Sequence, residues 1–199
     1  MDQRHWDELY GSRDQLFSGN PNGVLVTEIA GATPGQALDV GCGEGADARW
    51  LASQGWMVTA VDISRTALDR AAKLNAGDRV CWTHADLAVT PPPAGAFELV
   101  SVQYFPLAKA NSSLRGLLSA VAPGGTLLVV GHDPAELPPE FDRDDYHWPA
   151  EIAATLGDEW TVLVNETRAR TAPPPPGTHH AHDTVLRAEK RPNAGMPVS

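Results

Sequence analysis

Three glycines at alternate positions, Gly41, Gly43 and Gly45, stand where a predicted strand passes into a predicted helix. They belong to the segment ALDVGCGEG at residues 37–45. Because glycine has no Cβ, its backbone can approach a ligand closely and adopt unusual dihedral angles. The turn from the first strand into the first helix of a parallel sheet is a nucleotide-binding position. A glycine motif alone is weakly specific, so the interpretation depends on the residues that follow it.

A carboxylate at the end of the second predicted strand supports a nucleotide-like ligand. Asp62 follows the apolar run at 57–61, where a carboxylate can accept hydrogen bonds from the hydroxyls of a ribose. The alternative is a helix cap, because Ser64 begins a helical stretch directly afterwards. The strand end, the spacing from Gly45 and the residue type together favour ribose binding.

A second carboxylate, Asp86, follows the third predicted strand. It is a candidate partner for the exocyclic amine of adenine, and Leu87 or Ile63 could pack against the base. The alternative is that Asp86 forms a turn before the prolines at 91–93. We favour the adenine role.

The elements that must position these groups alternate between short apolar runs and amphipathic stretches. This alternation is typical of repeated β-α units, and it predicts an α/β, doubly wound, mostly parallel sheet. The predicted strands are 37–40, 57–61, 79–83, 97–102 and 126–131, and the predicted helices are 46–54, 64–75 and 111–121.

The chain on either side of this core follows a different pattern. Residues 1–35, here called the prelude, place Trp6 and Tyr10 at helical spacing, and a second helix is expected at about 23–31. Late strands at 160–166 and 183–188 have no helix between them, which indicates an antiparallel hairpin on one sheet edge.

One domain is expected over residues 1–190. It comprises the prelude, a cofactor-binding core at 36–131, and an acceptor loop with the hairpin at 132–190. Residues 191–199 are expected to be a flexible tail. The prolines at 173–176 are interpreted as a stiff connection rather than a recognition motif.

Composition narrows the classes of partner. The formal net charge of −10 argues against a nucleic-acid partner, because a phosphate backbone would be repelled. The sequence contains no apolar run of membrane-spanning length and no signal-peptide pattern, so we expect no membrane partner. Two cysteines outside any CxxC pair fit a reducing, cytoplasmic setting. The oligomeric state stays open.

The order of these motifs resembles the class I S-adenosylmethionine-dependent methyltransferases over about residues 37–131. The resemblance rests on LDVGCGEGADARWLASQGWMVTAVD at 38–62, ADL at 85–87, FELV at 97–100 and APGGTL at 122–127. It implies a seven-stranded, mostly parallel sheet with an antiparallel edge strand. The prelude resembles that of the thiopurine and tellurite-resistance type of small-molecule methyltransferase, in which it covers the cofactor.

The resemblance also implies roles for individual residues around S-adenosyl-L-methionine and its product S-adenosyl-L-homocysteine. The glycine loop would hold the methionine part, and Asp39 or Glu44 would meet its ammonium group. Gln103, at the end of the fourth strand, would lie beside the sulfonium. The full expected set of cofactor-binding residues is Trp6, Asp39, Gly41, Cys42, Gly43, Glu44, Asp62, Ile63, Asp86, Leu87 and Gln103.

The acceptor is expected to be a small molecule with an oxygen, sulfur or nitrogen nucleophile. His132 is the candidate general base, because neutral imidazole is available near pH 7; the alternative is that it caps the strand end. Tyr104, Phe105 and Trp148 are either an aromatic acceptor pocket or ordinary packing. The chain lacks the Asn/Asp-Pro-Pro-Tyr signature of enzymes that methylate DNA bases.

Two further groups of residues allow several interpretations. His179, His180 and His182 could line the acceptor pocket or bind a metal, but a solvated loop is favoured and no metal is expected. Cys42 is interpreted as a small residue in a tight turn rather than a nucleophile.

The same residues allow two other functions. An NAD(P)-dependent oxidoreductase would share the sheet, the glycine loop and Asp62, but it leaves Asp86 and the hairpin unexplained. A non-catalytic cofactor-binding module would keep the fold without turnover.

Overall fold

Seven strands form one sheet in the computed structural model, which describes residues 2–74, 77–138, 140–170 and 180–192. The strand order is β3-β2-β1-β4-β5-β7-β6. The strands are β1 Gln36–Val40, β2 Met57–Asp62, β3 Val80–His84, β4 Phe97–Gln103, β5 Val121–His132, β6 Trp160–Ala169 and β7 His182–Lys190. The first five run parallel, and β7 lies antiparallel between β5 and β6. The predicted fold class is confirmed, with the reversed strand one position in from the edge.

Helices cover both faces of this sheet. They are α1 Gln3–Gly11, α2 Gly23–Glu28, α3 Ala46–Ser53, α4 Arg65–Lys73, α5 Ser113–Ala120 and α6 Pro149–Thr155, with short 3-10 helices at Gly77–Arg79, Pro134–Glu136 and Arg143–Asp145. No helix in the described part of the chain is long and apolar enough to cross a membrane.

The central strands are apolar on both sides because both sides are covered. Leu38 and Val100 belong to the core cluster that includes Leu117 of α5 and Ile152 of α6. The alternate residues Ala37 and Leu99 belong to the cluster on the other face, with α2 and α3. Two packed layers therefore hold the carboxyl ends of β1, β2 and β4 at fixed positions along one edge of the sheet.

Some element boundaries differ from the sequence predictions. The second helix stops at Glu28 instead of about 31, and Gly31 adopts a positive φ of 76° shortly afterwards. The fifth strand begins five residues early, at Val121, which pairs with Phe97 across a register shift. The expected proline connection at 173–176 and most of the expected tail lie outside the described residues.

The two prelude helices are fixed to the core by polar contacts. Asp7 of α1 accepts hydrogen bonds from Ser64 Oγ at 2.6 Å and from the Thr66 N–H at 3.1 Å. Glu28 of α2 forms an ion pair with Arg168 of β6 at 2.7 Å. The prelude is thereby anchored to α4 on one side and to the hairpin on the other.

Replacing Ser64 by alanine tests the first of these anchors. Ser64 is fully buried, accepts the Ala67 N–H as the N-cap of α4 and donates to Asp7. We expect Ser64→Ala to lower the free energy of unfolding by about 1–2 kcal/mol, the usual cost of a lost cap. Urea denaturation measures this change. Ser53→Ala, at an exposed serine, is the control and should change stability by less than about 0.5 kcal/mol.

Candidate active site

The glycine loop follows β1 and adopts backbone conformations that favour glycine. Gly41 and Gly43 have φ values of 66° and 53°, in the left-handed region that side chains disfavour. A Cβ on Gly41 would lie 2.5 Å from Phe105, and a Cβ on Gly43 would lie 2.7 Å from the Tyr10 hydroxyl. The sequence uses glycine here because aromatic groups approach the loop closely.

Asp62 connects the loop to the next helix. Its Oδ2 accepts the Gly43 N–H and its Oδ1 accepts the Ser64 N–H, both at 2.8 Å. The Cys42 N–H also donates to the Val61 carbonyl at 3.0 Å, which ties the loop to β2. A carboxylate has about four lone-pair positions, so Asp62 keeps acceptor capacity for ligand hydroxyls after these two bonds. The cap of α4 is Ser64, not Asp62.

Three buried carboxylates, Asp39, Asp47 and Asp62, lie close together beneath the loop. Burial and then the charges of Asp47 and Asp62 raise the pKa of Asp39 well above its usual value. Asp39 Oδ2 is buried and has no hydrogen-bond partner within the described ranges. Asp47, in contrast, accepts hydrogen bonds from the backbone N–H and the side-chain amide of Asn22, each at 2.7 Å. An unpaired acidic oxygen at this position favours a cationic ligand group.

This charge distribution fits S-adenosylmethionine better than a dinucleotide. The ammonium group of the cofactor is a suitable partner for Asp39 Oδ2, and its sulfonium adds a second positive charge. The pyrophosphate of a dinucleotide binds at this loop in nicotinamide enzymes, and it would face the same buried carboxylates as a like charge. The residues present therefore fit the cofactor that the motif order implies.

Glu44 has partners other than the predicted ammonium group. Its carboxylate accepts the backbone N–H groups of Leu16 at 3.2 Å and Phe17 at 3.1 Å, and it pairs with Arg70 at 3.0 Å. Of the two acidic residues considered for the ammonium group, Asp39 is the one with an unpartnered oxygen. The side chain of Glu44 instead holds the prelude against the glycine loop.

Tyr10 is the prelude side chain that lies against Gly43 of the loop. Its side chain is 4% exposed, and burial followed by the nearby Asp62 and Glu44 raises its pKa. Trp6, the predicted contact, is partly exposed and its ring lies 6.2 Å from that of Tyr10. Both residues share one face of α1, and their spacing in the sequence does not show which of them faces Gly43.

The three residues predicted to contact adenine differ in their exposure to solvent. Asp86 is exposed, and its Oδ1 accepts the Ala88 N–H at 2.9 Å, so it forms the turn that was the alternative interpretation. Its other oxygen has no hydrogen-bond partner in the described segments, which leaves it available to an amine. Ile63 is half-buried, whereas Leu87 belongs to the hydrophobic core.

Cys42 lies inside the loop and is buried. Burial and the charges of Asp39 and Asp62 raise the pKa of its thiol well above the usual value. Since the thiolate is the reactive form, this environment favours an inert thiol.

The end of β4 carries two unusual residues. Gln103 is buried and donates from Nε2 to Ser101 Oγ at 3.1 Å, while its Oε1 is buried without a partner in the described chain. Tyr104 has a φ of 53°, and no other non-glycine residue with a described conformation has a positive φ. Strain of this kind persists only where surrounding contacts fix the residue, and it is common at functional sites.

Those contacts form a cluster of five side chains, here called the His132 cluster: Tyr104, His132, Arg170, His180 and Asp183. The His132 ring stacks on His180 at 4.0 Å and lies 4.6 Å from the Tyr104 ring. The Tyr104 hydroxyl donates to Asp183 Oδ1 at 2.9 Å, and Arg170 pairs with the same oxygen at 3.4 Å. The guanidinium of Arg170 also lies 5.1 Å from the centre of the Tyr104 ring. Neither Arg170 nor Asp183 belongs to a motif that predicts a site residue.

The other residues predicted to line the acceptor pocket make contacts in different parts of the structure. Phe105 lies against Gly41, and Trp148 packs edge-on to Phe141 with its Nε1 donating to the Arg143 carbonyl.

Of the three late histidines, His180 joins the His132 cluster, His182 bonds Glu136 through Nδ1 at 2.5 Å, and His179 lies outside the described residues. Ligand atoms of Asp133, Glu136 and His182 lie within 4.8 Å of one another. Hydrogen bonds account for this grouping, because Asp133 accepts the Ala135 N–H and Glu136 bonds His182 at the start of β7.

Comparison with known proteins identifies the family. A family model described as a methyltransferase domain matches residues 37–125. An uncharacterized methyltransferase of Mycobacterium tuberculosis is 32% identical over 156 residues, covering 76% of this chain and 75% of that protein. This chain belongs to the class I S-adenosylmethionine-dependent methyltransferases. The methyltransferase therefore uses S-adenosylmethionine, and the oxidoreductase alternative is wrong.

Two further similarities agree with this assignment. A 2-heptyl-1-hydroxyquinolin-4(1H)-one methyltransferase of Mycobacteroides abscessus is 29% identical over 164 residues, covering 78% of this chain and 72% of that protein. A structure from work on the conversion of a disulfide bond into a thioacetal group during echinomycin biosynthesis has a TM-score of 0.76 at 21% identity. That match covers 97% of this methyltransferase and 94% of the other chain, and it supports the fold.

The ribose role of Asp62 can be tested by calorimetry with S-adenosylhomocysteine. We expect Asp62→Ala to weaken binding by about 1–3 kcal/mol, the cost of losing a charged hydrogen-bond partner. Because Asp62 also holds Gly43 and Ser64, circular dichroism must confirm that the variant is folded. Asp69→Ala, at an exposed position on α4, should bind like the wild type. Unchanged affinity in folded Asp62→Ala would exclude the ribose assignment.

Asp39→Asn should affect stability and binding in opposite directions. When folding raises the pKa of a carboxyl group, ionisation of that group destabilises the folded protein. The loss of stability begins as the pH rises above about 4, the pKa in the unfolded chain, and grows until the pH reaches the pKa in the folded protein. Removing that charge should raise the melting temperature of the ligand-free protein at neutral pH, while S-adenosylhomocysteine binds more weakly. Scanning calorimetry and titration calorimetry measure the two effects, with the exposed Asp78→Asn as control. A variant that binds as tightly as the wild type would contradict the ammonium role.

Proposed function

We propose that this methyltransferase transfers the methyl group of S-adenosylmethionine to an oxygen, sulfur or nitrogen atom of a small organic molecule held at the His132 cluster. The observation that carries the proposal is the position of the cluster. It starts at Tyr104, directly after Gln103 at the carboxyl end of β4, and β4 is the neighbour of the strand that leads into the glycine loop. In open α/β sheets ligands bind outside the carboxyl ends of the strands.

Alignment is the main task of the chain's own residues in such a reaction. The bound cofactor supplies a methyl group already activated by a positive sulfur. The glycine loop, Asp39 and Asp62 are proposed to hold that cofactor, and Gln103 Oε1 to lie beside the sulfonium. Tyr104 and His132 would orient the acceptor for in-line displacement, and good orientation alone can supply about 7–11 kcal/mol of the barrier reduction.

The chemistry of the cluster favours a ring-bearing acceptor with polar substituents. The rings of Tyr104, His132 and His180 stack as three neighbouring layers, and aromatic faces pack well against flat apolar groups. Arg170 and Asp183 add buried charge at the same place. The named acceptor of the Mycobacteroides abscessus relative, a hydroxyquinolinone, belongs to this class of molecule. The net charge of −10 favours such an acceptor over nucleic acid.

The prelude is proposed to act as a cover over the cofactor within a single catalytic domain. Glu44 holds its backbone at Leu16 and Phe17, and Tyr10 lies on Gly43. Closing a site in this way excludes water from the reacting groups. The free thiols of Cys42 and Cys81 fit our proposal that the enzyme works in the reducing cytoplasm.

A methyl-transfer screen tests the proposed function directly. Purified protein is incubated with S-adenosylmethionine carrying a deuterated methyl group and a panel of phenols, hydroxyquinolinones, thiols and amines. We expect mass spectrometry to detect at least one singly methylated product carrying the label. The folded variant Asp62→Ala should form much less of it. Binding of the cofactor with no labelled product from any class would favour a non-catalytic module instead.

A further inference from the structure

The environment of His132 determines which of its ring nitrogens carries the proton. Arg170 Nη1 lies 3.3 Å from His132 Nδ1. A guanidinium is always protonated and can only donate, so Nδ1 must present its lone pair to Arg170. In a neutral imidazole the single proton then resides on Nε2, which has no hydrogen-bond partner among the residues that the structure describes. His132 is therefore arranged as a donor through Nε2.

Burial and the charged groups on the neighbouring elements keep this ring neutral. Burial, followed by the charges of His180 and Arg170, lowers the pKa of His132 to about 4, and Glu136 acts weakly in the opposite direction. Asp183 also lies in the cluster, but the Tyr104 hydroxyl at 2.9 Å and Arg170 at 3.4 Å engage its Oδ1. At neutral pH the ring is uncharged, and its one lone pair is bound to Arg170.

We propose that His132 binds the methyl acceptor by donating a hydrogen bond from Nε2 to a negatively charged oxygen, and that it does not act as a general base. This inference rests on the proposed function and names the class of acceptor: a hydroxyl compound acidic enough to bind as its oxyanion, such as a phenol or an N-hydroxy heterocycle. The acceptor loses its proton to solvent before binding. Attack of the oxyanion on the methyl carbon forms the C–O bond while the methyl–sulfur bond breaks and S-adenosylhomocysteine leaves. The methoxy product is neutral, so no proton passes to the protein.

Unsatisfied polar atoms in the same cluster support an anionic ligand. Arg170 Nε and His180 Nδ1 are buried with no partner in the described parts of the chain. The N–H at Arg170 Nε can only donate, and an unpaired buried donor is costly. Arg170 is the only cation in the cluster apart from protonatable histidine, and Asp183 Oδ1 compensates it at the long distance of 3.4 Å. An oxyanion placed beside this cluster would supply the missing acceptor.

The proton position can be measured without cofactor or acceptor. Nitrogen-15 NMR of the full-length protein, labelled at histidine and assigned by comparison with His132→Gln, reports the tautomer of each ring. We expect His132 to remain the neutral Nε2–H tautomer from about pH 8 to 6, whereas an unperturbed histidine titrates near 6.5. Arg170→Leu should raise the pKa of His132 and mix its tautomers. Arg168→Leu, two residues earlier, within β6, and paired with Glu28, should leave the His132 signals unchanged.

A second measurement tests the preference for an oxyanion. The probe is 4-nitrophenol, whose phenolate absorbs visible light, so titration with wild-type protein gives the apparent pKa of the bound probe. We expect this pKa to be lowered, which means that the phenolate binds more tightly than the phenol. His132→Leu should reduce the preference by roughly 10- to 100-fold, the usual effect of a lost hydrogen bond to a charged group. His132→Gln, which retains an N–H donor, should restore part of it.

The outcomes separate this inference from the proposed function. An Nδ1–H tautomer, titration of His132 near 6.5, or equal affinity of the protein for phenol and phenolate would overturn the donor role. None of these results affects a labelled product in the methyl-transfer screen. Conversely, a screen that yields no methylated product would overturn the proposed function, although the measured tautomer of His132 would stand.

Discussion

The two hydrogen bonds of Asp62 hold together the elements on which the active site depends. One carboxylate receives the N–H of Gly43 and the N–H of Ser64, and thus joins the end of β2, the glycine loop and the start of α4. Ser64 in turn holds Asp7 of the prelude. A charge-assisted hydrogen bond is roughly twice as strong as a neutral one, and burial of Asp62 removes competing water. The loop, the helix and the covering segment therefore depend on the position of one side chain.

The cofactor-binding half of the site could be predicted from local sequence, because its residues lie directly after the ends of predicted strands. The positions of Gly41, Gly43 and Asp62 are set by the ends of β1 and β2, and parallel strands bring those ends to one edge of the sheet. The roles of these groups toward the cofactor stay predictions, although Asp39 has the unpaired oxygen that the ammonium assignment requires. The early end of α2 was not predicted, since local propensity determines helix boundaries poorly.

The arrangement of the other half of the site depends on contacts between distant residues, which the sequence alone does not show. Glu44 carries the right charge for an ammonium group, but its partners are 26 to 28 residues away, at Leu16, Phe17 and Arg70. Tyr104 meets Asp183 across 79 positions. His132 was predicted as a base from its residue type and its place at the end of the fifth strand, whereas the position of its proton depends on Arg170, which the pairing of β6 with β7 brings near. Residue type identified the candidates, and tertiary contacts determine what each one can do.

The insertion of β7 between β5 and β6 has a consequence for biosynthesis. β5 is an interior strand, and one of its edges pairs with β7, at residues 182–190. Those residues lie about 50 positions later in the chain, and a ribosome adds ~5–20 residues each second. Until those residues emerge, an apolar strand edge stays open to pairing with other chains. The strands that lead to the glycine loop, Asp62 and Gln103 all precede β5 in the chain, whereas Asp183 is the last residue of the His132 cluster to be synthesised. The nascent enzyme therefore gains its cofactor-binding elements before it gains its acceptor cluster.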